Sequence, residues 1–147
     1  PMWFYQNTYL APGWMGSIAT MGNPAVWWPG LIAIAALLLR AARRRAAEPL
    51  CLFAAIGFLA QYLPWVLVPR SMFIYHYFAS VPFIIFAVVY YIKKRYIGRP
   101  DGKKRVLIYL GVVLFLFLWF YPIMSGLPIP SWMGRTMRWM PTWYFTY

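Results

Sequence analysis

The chain has 147 residues, of which 63% are hydrophobic and only 11% are charged. Soluble domains carry about 25% charged residues, so the composition predicts an integral membrane protein and argues against a soluble one. The net charge of +12 is typical of nucleic-acid-binding proteins too. We reject that function, because most of the cations lie in loops between apolar segments, where membrane topology explains them.

Four apolar runs follow one another along the chain, each close to the ~20 residues that cross a bilayer as a helix. We place them at residues 23–39, 50–68, 72–92 and 106–125. Residues 1–22 and 126–147 lack helical periodicity and are rich in Trp, Tyr, Met, Pro and Gly. We therefore expect an all-α membrane protein with a four-span domain at 23–125 and two aromatic-rich segments, 1–22 and 126–147, at the outer interface.

Prolines indicate where the spans begin and bend. Asn23 followed by Pro24 is typical of a helix start, and Pro49 opens the second span in the same way. Pro64 and Pro82 lie inside spans, where a missing N–H group predicts kinks.

The cations predict the orientation of the spans. Eleven of the fourteen Lys and Arg residues lie in two loops on one side of the four-span arrangement. They are Arg40, Arg43, Arg44, Arg45, Lys93, Lys94, Arg95, Arg99, Lys103, Lys104 and Arg105. The positive-inside rule places these loops in the cytoplasm, with both termini and the turn around Arg70 on the extracytoplasmic side.

Chemical groups for catalysis are scarce. The only acids are Glu48 and Asp101, and both lie in the predicted cytoplasmic loops. Cys51 and His76 are the only residues of their types, so no metal site is expected. Neither a phosphate-binding loop, a dinucleotide fingerprint nor a serine triad is present, and we expect no cofactor and no catalytic residue in this chain. Such a chain fits a binding or scaffolding role.

A candidate anion site lies where the third span begins. Arg70 stands apart from the other cations, and His76 follows less than two helical turns later. The first span also starts on this side, at Asn23, so two positive helix ends would face outward here. Arginine binds phosphate oxygens with a forked geometry, so a polyprenyl phosphate would suit this position. Tyr75 and Tyr77 flank His76 and complete the predicted lipid-phosphate or substrate-binding set.

Simpler interpretations of the same residues stay open. Arg70 on its long stem can reach lipid headgroups without binding a specific ligand. His76 can be a hydrogen-bonded packing residue between helices, and Tyr75 and Tyr77 can be interface aromatics. Arg70 and His76 would not share a face of one regular helix, so they converge only if Arg70 lies in the turn.

Five short motifs, taken in order, resemble the C-terminal four-span region of protein O-mannosyltransferases and of their bacterial relatives, the phospholipid-carrier-dependent glycosyltransferases. They are Met21-Gly22-Asn23-Pro24, Trp27-Trp28, Pro64-Trp65, Arg70-x-x-Phe73-x-Tyr75-His76-Tyr77 and Met137-x-Trp139-Met140-Pro141-x-Trp143. The resemblance covers nearly the whole chain, and its ordered set is more specific than any single motif.

The resemblance implies a multi-span membrane enzyme of the GT-C type. Such enzymes move mannose from a polyprenyl or dolichyl phosphate to Ser or Thr of exported proteins, with inversion of the sugar's configuration. Their catalytic acid lies in the first extracytoplasmic loop, which this sequence does not contain. The resemblance therefore implies a C-terminal part, with the remaining N-terminal spans, the sugar carrier, the acceptor protein and membrane lipids as partners. It also implies the cytoplasmic membrane in a bacterium, or the endoplasmic reticulum in a eukaryote.

Two other functions are weighed against this one. A non-catalytic helix module could pack against other spans or a partner subunit. A small transporter or channel would need polar groups at mid-membrane, and Gln61 is the main polar residue within the predicted spans. The chain begins at Pro1 and shows no signal peptide, which leads us to expect a piece of a longer protein.

Overall fold

A computed structural model describes residues 2–6, 10–43, 48–68, 74–141 and 143, with the backbone alone at 2–6, 74 and 75. In chain order the elements are β1 (Met2–Gln6), β2 (Trp14–Met15), β3 (Ser17–Thr20), α1 (Pro24–Ala42), α2 (Pro49–Val66), α3 (Ile74–Phe78), α4 (Val81–Tyr96), α5 (Gly102–Ser125), β4 (Ile129–Pro130) and α6 (Ser131–Met137). They form two compact units. One consists of Pro1–Asn23 with Leu114–Tyr147, and the other of Pro24–Val113.

The mostly helical fold and its four membrane-length helical segments are confirmed. The segments are Pro24–Ala42, Pro49–Val66, His76–Tyr96 and Gly102–Ser125. The last begins four residues before the predicted start at 106, so that Lys103, Lys104 and Arg105 lie in the helix. Their long stems let the charged ends reach the interface while the backbone stays helical.

The third span is not one continuous helix. It consists of α3 and α4, separated by a turn at Ala79 and Ser80. Pro82 lies in the first turn of α4, where the N–H group that it lacks would have no partner within the helix. The predicted kink at Pro82 is therefore a helix start. Pro64 differs, because α2 continues through it and ends at Val66.

The core of the unit Pro24–Val113 forms where α4 packs against both α1 and α2. Its buried residues are Ala33, Ile34, Leu37, Cys51, Ala54, Phe58, Ile84, Ala87 and Tyr90. Two glycines bring the helices close together. A β-carbon at Gly30 of α1 would collide with the side chain of Ile84, and one at Gly57 of α2 with the ring of Phe83. Small residues of this kind let membrane helices approach closely and gain dispersion contacts.

The two basic segments meet at one end of this unit. The Nζ of Lys94, near the end of α4, lies 3.4 Å from Oε1 of Glu48, which directly precedes α2. A hydrogen bond from Tyr90 holds the pKa of Glu48 below its ordinary value, and Lys94 and the charge of Arg40 act in the same direction. Arg105 lies over the ring of Tyr96, at 5.8 Å from its centroid. Arg40 of the first basic segment and Lys94 of the second thus lie near the same carboxylate.

The other unit contains two short antiparallel sheets, which the sequence did not predict. Strand β1 pairs with β3, and β2 pairs with β4, where Trp14 faces Pro130. Strands of two to five residues show too little alternation to be recognised, and their pairing joins distant parts of the chain. The core beneath them consists of Met15, Ala19, Met21, Phe120, Ile123, Ile129, Met137 and Trp143.

Enlarging Gly30 should loosen the helix packing. We expect Gly30→Leu to lower the free energy of unfolding by about 1–3 kcal/mol, because Ile84 is fully buried and has no room to move aside. Thermal unfolding of the complete gene product in detergent measures this effect. Gly111→Leu is the matched control, because a β-carbon at Gly111 meets nothing within 4 Å. Equal melting temperatures for the two variants would contradict the close contact.

The environment of Glu48 predicts a pH-dependent contribution to stability. Because its pKa in the folded protein lies below the ordinary value of 4.5, the stabilisation is present above that value and is lost as the pH falls through the folded-state pKa. We expect Glu48→Gln to lower the melting temperature slightly at pH 7 and to leave it unchanged at a pH below the folded-state pKa of Glu48. Tyr90→Phe should weaken the same effect. A deficit of constant size down to pH 3 would contradict the assignment.

Candidate functional site

The short helix α3 lies at the end of the unit Pro24–Val113 that is opposite to the basic segments. Its aromatic residues pack against Trp27, in the first turn of α1, and against Trp65, in the last turn of α2. Lys94 and Glu48 mark the other end of the same helices. The predicted separation of His76 and Tyr77 from the cation-rich loops is therefore present in the folded unit.

His76 is half-buried and packs against Trp65. The ring centroids lie 4.3 Å apart, and the planes are inclined by 62° in an edge-to-face arrangement. This contact fixes the imidazole near the end of α2 and supplies the packing that the simpler interpretation expects.

Tyr77 has a more unusual environment. Its ring lies 4.9 Å from that of Trp27 and 6.0 Å from that of Tyr62, measured between centroids. Its hydroxyl is buried and has no hydrogen-bond partner among the described residues. Buried hydroxyl groups are normally hydrogen-bonded, so this one is suited to meet a polar atom of a ligand.

Ser80, three residues after Tyr77, carries a second buried hydroxyl group that has no partner among the described residues. Ser80 is fully buried at the start of α4, and its Oγ does not cap the helix or find another partner within the described ranges. Its backbone N–H donates to the carbonyl of Tyr77 at 2.9 Å. Tyr77 in α3 and Ser80 in the turn after it therefore both carry a hydroxyl group that has no partner among the described residues.

The other predicted site residues are less well defined. Arg70 lies outside the described residues, and of Tyr75 only the backbone, within α3, is described. Asn23 is half-buried, directly precedes α1 and belongs to the other compact unit. The structure thus brings His76 and Tyr77 onto one short helix, while the roles of Arg70, Tyr75 and Asn23 stay predictions.

The aromatic and hydroxyl neighbours of this site were not among the predicted site residues. Trp27, Tyr62 and Trp65 come from two different helices, and Ser80 comes from the turn before α4. A sequence signal existed for part of this set, because aromatic residues cluster at the ends of the first and second spans. Nothing in the local pattern indicated that Ser80 would be buried.

Neither carboxylate of the chain lies at this end. Glu48 is paired with Lys94, and Asp101 lies in the turn before α5, next to the basic residues. Within the described part of the chain, no group of three His, Cys, Asp or Glu residues is placed to hold a metal ion. The described groups at this end can therefore donate hydrogen bonds, and none of them is a carboxylate.

The aromatic motif near the C-terminus forms a packed cluster in the other unit. The ring of Phe120 lies 5.0 Å from Trp139 and 6.0 Å from Trp143, and Trp143 is only 8% exposed. Part of the motif thus builds a core, while Trp139 and, outside the motif, Trp132 stay exposed. The expected position of these rings at headgroup depth stays a prediction.

Comparison with known proteins gives a consistent result. A family model described as the C-terminal four TMM region of protein-O-mannosyltransferase matches residues 3–143. The polyprenol-phosphate-mannose–protein mannosyltransferase of Corynebacterium glutamicum is 28% identical over 156 residues, which cover 97% of this chain and 29% of the relative. Its namesake in Mycolicibacterium smegmatis is 27% identical over 135 residues, covering 86% of this chain and 26% of the relative.

A eukaryotic relative matches over the same region. The dolichyl-phosphate-mannose–protein mannosyltransferase 3 of Saccharomyces cerevisiae is 25% identical over 147 residues, which cover 84% of this chain and 20% of the relative. The chain therefore spans less than a third of the length of these curated relatives. No solved structure matches it.

Proposed function

Because the chain belongs to the family of C-terminal four-span regions of protein O-mannosyltransferases, we propose that it forms the C-terminal membrane part of such an enzyme. The enzyme would transfer mannose, or a similar sugar, from a polyprenyl-phosphate carrier to Ser or Thr hydroxyls of exported proteins. The observation that carries this proposal is the match over residues 3–143, since it includes all four membrane-length segments.

The part played by this chain is to hold the phosphate of the carrier at the α3 end of the helices. A carrier of this class has an apolar tail, which lies among lipid chains, and a phosphate at the interface. Tyr77 and Ser80 offer hydroxyl donors with no partner among the described residues, and His76 is fixed beside them by Trp65. Arg70, which precedes α3 in the chain, would add a charged, forked donor, with Tyr75 as a further contributor.

Such donors would act in the transfer step itself. When the acceptor hydroxyl attacks the anomeric carbon, the bond from that carbon to the phosphate oxygen breaks, and the phosphate gains negative charge. Hydrogen bonds and a guanidinium group aimed at this oxygen stabilise the charge as it develops. The proton of the acceptor needs a base, and both carboxylates of this chain lie at the opposite, basic end. We therefore propose that the carboxylate that acts as this base lies in the N-terminal part of the enzyme.

Removal of the Arg70 guanidinium tests the phosphate site. In the complete gene product, we expect Arg70→Ala to raise the KM for the lipid-linked sugar about 10-fold or more, because a charge-assisted hydrogen bond is worth roughly 1.5–3 kcal/mol. Expression and melting temperature should be unchanged. Arg99→Ala is the control, since Arg99 is an exposed arginine of the basic turn. An unchanged KM for Arg70→Ala would favour the alternative of a non-catalytic packing module.

Tyr77→Phe separates binding from packing. The change keeps the ring contacts with Trp27 and Tyr62 and removes only the hydroxyl. We expect equal or greater thermal stability, because a buried hydroxyl without a partner costs free energy, together with a several-fold loss of transfer activity. Tyr121→Phe, at an exposed tyrosine of α5, is the matched control. A variant that loses stability but keeps its activity per folded molecule would assign Tyr77 to packing alone.

A further inference from the structure

A groove that the proposed function does not use runs between α1, α4 and the first turns of α5. Its volume is about 450 Å³, within the range of sites that bind small molecules. The walls are almost entirely apolar, with Pro29, Ala33 and Ala36 on α1, Val88 and Ile92 on α4, and Val106 on α5. All of these residues belong to the unit Pro24–Val113.

The groove ends in positive charge. Arg95 and Arg105 line it, and the contact of Arg105 with the ring of Tyr96 holds that guanidinium beside the opening. A second cavity of about 430 Å³ shares Ala36 and Tyr91 with the groove and is lined by two more arginines, Arg40 and Arg43. Among the described residues, no acidic side chain lines either cavity.

Two contacts define the ends of this region. At the apolar end, the hydroxyl of Tyr109 donates to the carbonyl of Ala25 at 2.9 Å, which ties α5 to α1. At the basic end, the Nε atom of Arg40 is buried and has no hydrogen-bond partner within the described residues. Glu48, the nearby carboxylate, is instead engaged by Lys94. The arginines that line the two cavities therefore have no acidic side chain beside them among the described lining residues.

We propose that this groove binds an anionic phospholipid from the leaflet on the basic side of the membrane. One acyl chain would lie along the apolar walls between α1 and α4, and the phosphate would bind Arg95 and Arg105, with Arg40 and Arg43 around the rest of the headgroup. The site is separate from the carrier site, because α3 lies at the other end of the same helices.

The arginines that line the groove favour an anionic phospholipid over another membrane helix as its ligand. An apolar helix in the groove would bury arginines without partners, which is costly inside a membrane. A phosphate supplies oxygens for several charge-assisted hydrogen bonds at once. Anionic headgroups also concentrate beside juxtamembrane cations, so the lipid is available where the arginines lie.

Native mass spectrometry of the complete gene product tests the headgroup contact. The delipidated protein is titrated in detergent with palmitoyl-oleoyl phosphatidylglycerol and, separately, with the phosphatidylcholine of the same chains. We expect tighter binding of the anionic lipid, weakened about 10-fold or more in the double variant Arg95→Gln, Arg105→Gln, because both guanidinium groups would lose their charge-assisted hydrogen bonds to the phosphate. The double variant Lys103→Gln, Lys104→Gln removes the same charge from exposed positions outside the groove and should change binding less than about 3-fold. Equal losses in the two double variants would show diffuse attraction only and overturn the proposal.

A second pair of variants tests the acyl chain. Ala36→Phe should fill the groove and reduce the retained phosphatidylglycerol, while Ala35→Phe, at the exposed neighbouring position, should not. A photoreactive benzoylphenylalanine at Ile32, which is 72% exposed and lines the groove, should crosslink to phospholipid. Crosslinks to another segment of the gene product, or unchanged lipid binding in Ala36→Phe, would show that the groove holds something else.

Discussion

The close approach of α4 to α1 and α2 is the constraint on which the rest of the unit Pro24–Val113 depends. Lipid tails are as apolar as the helix surfaces, so the hydrophobic effect does little to bring such helices together. The packing of the helices then depends on how closely they can approach one another. Gly30 and Gly57 leave the space that Ile84 and Phe83 occupy. With α4 held in this way, one of its ends is placed beside Glu48, and the other carries α3.

The interruption of the third span is explained by the proline at the start of α4. Since α4 starts at Val81 with Pro82 in its first turn, the preceding residues are free to leave the helical path. They form α3, whose rings contact both Trp27 and Trp65 and so cover the ends of two helices. The break therefore gathers, at one end of the unit, aromatic rings and two hydroxyl groups that have no partner among the described residues.

Much of this architecture could be predicted from the sequence, because span length and charge distribution are properties of single segments. The four spans, their helical nature and the common side of the basic loops required no knowledge of contacts. The break before α4, the burial of Ser80 and the pairing of Trp14 with Pro130 could not be predicted, since each depends on residues distant in the chain. The same holds for the site. Tyr77 was in the predicted set, but its unpaired hydroxyl results from packing against α1 and α2.

The unequal distribution of charge explains how two phosphate-binding regions in one unit would differ. The arginines around the α1–α4 groove would hold an anionic headgroup through several charges at once, as suits a lipid that stays bound. At the α3 end, the proposed carrier site has a single arginine, with hydroxyl and imidazole groups among aromatic rings. In the proposed enzyme, a weaker positive field there would let the phosphate leave after transfer of the sugar. It would also leave the proton affinity of a carboxylate base high, since a nearby cluster of cations would lower the pKa of that base.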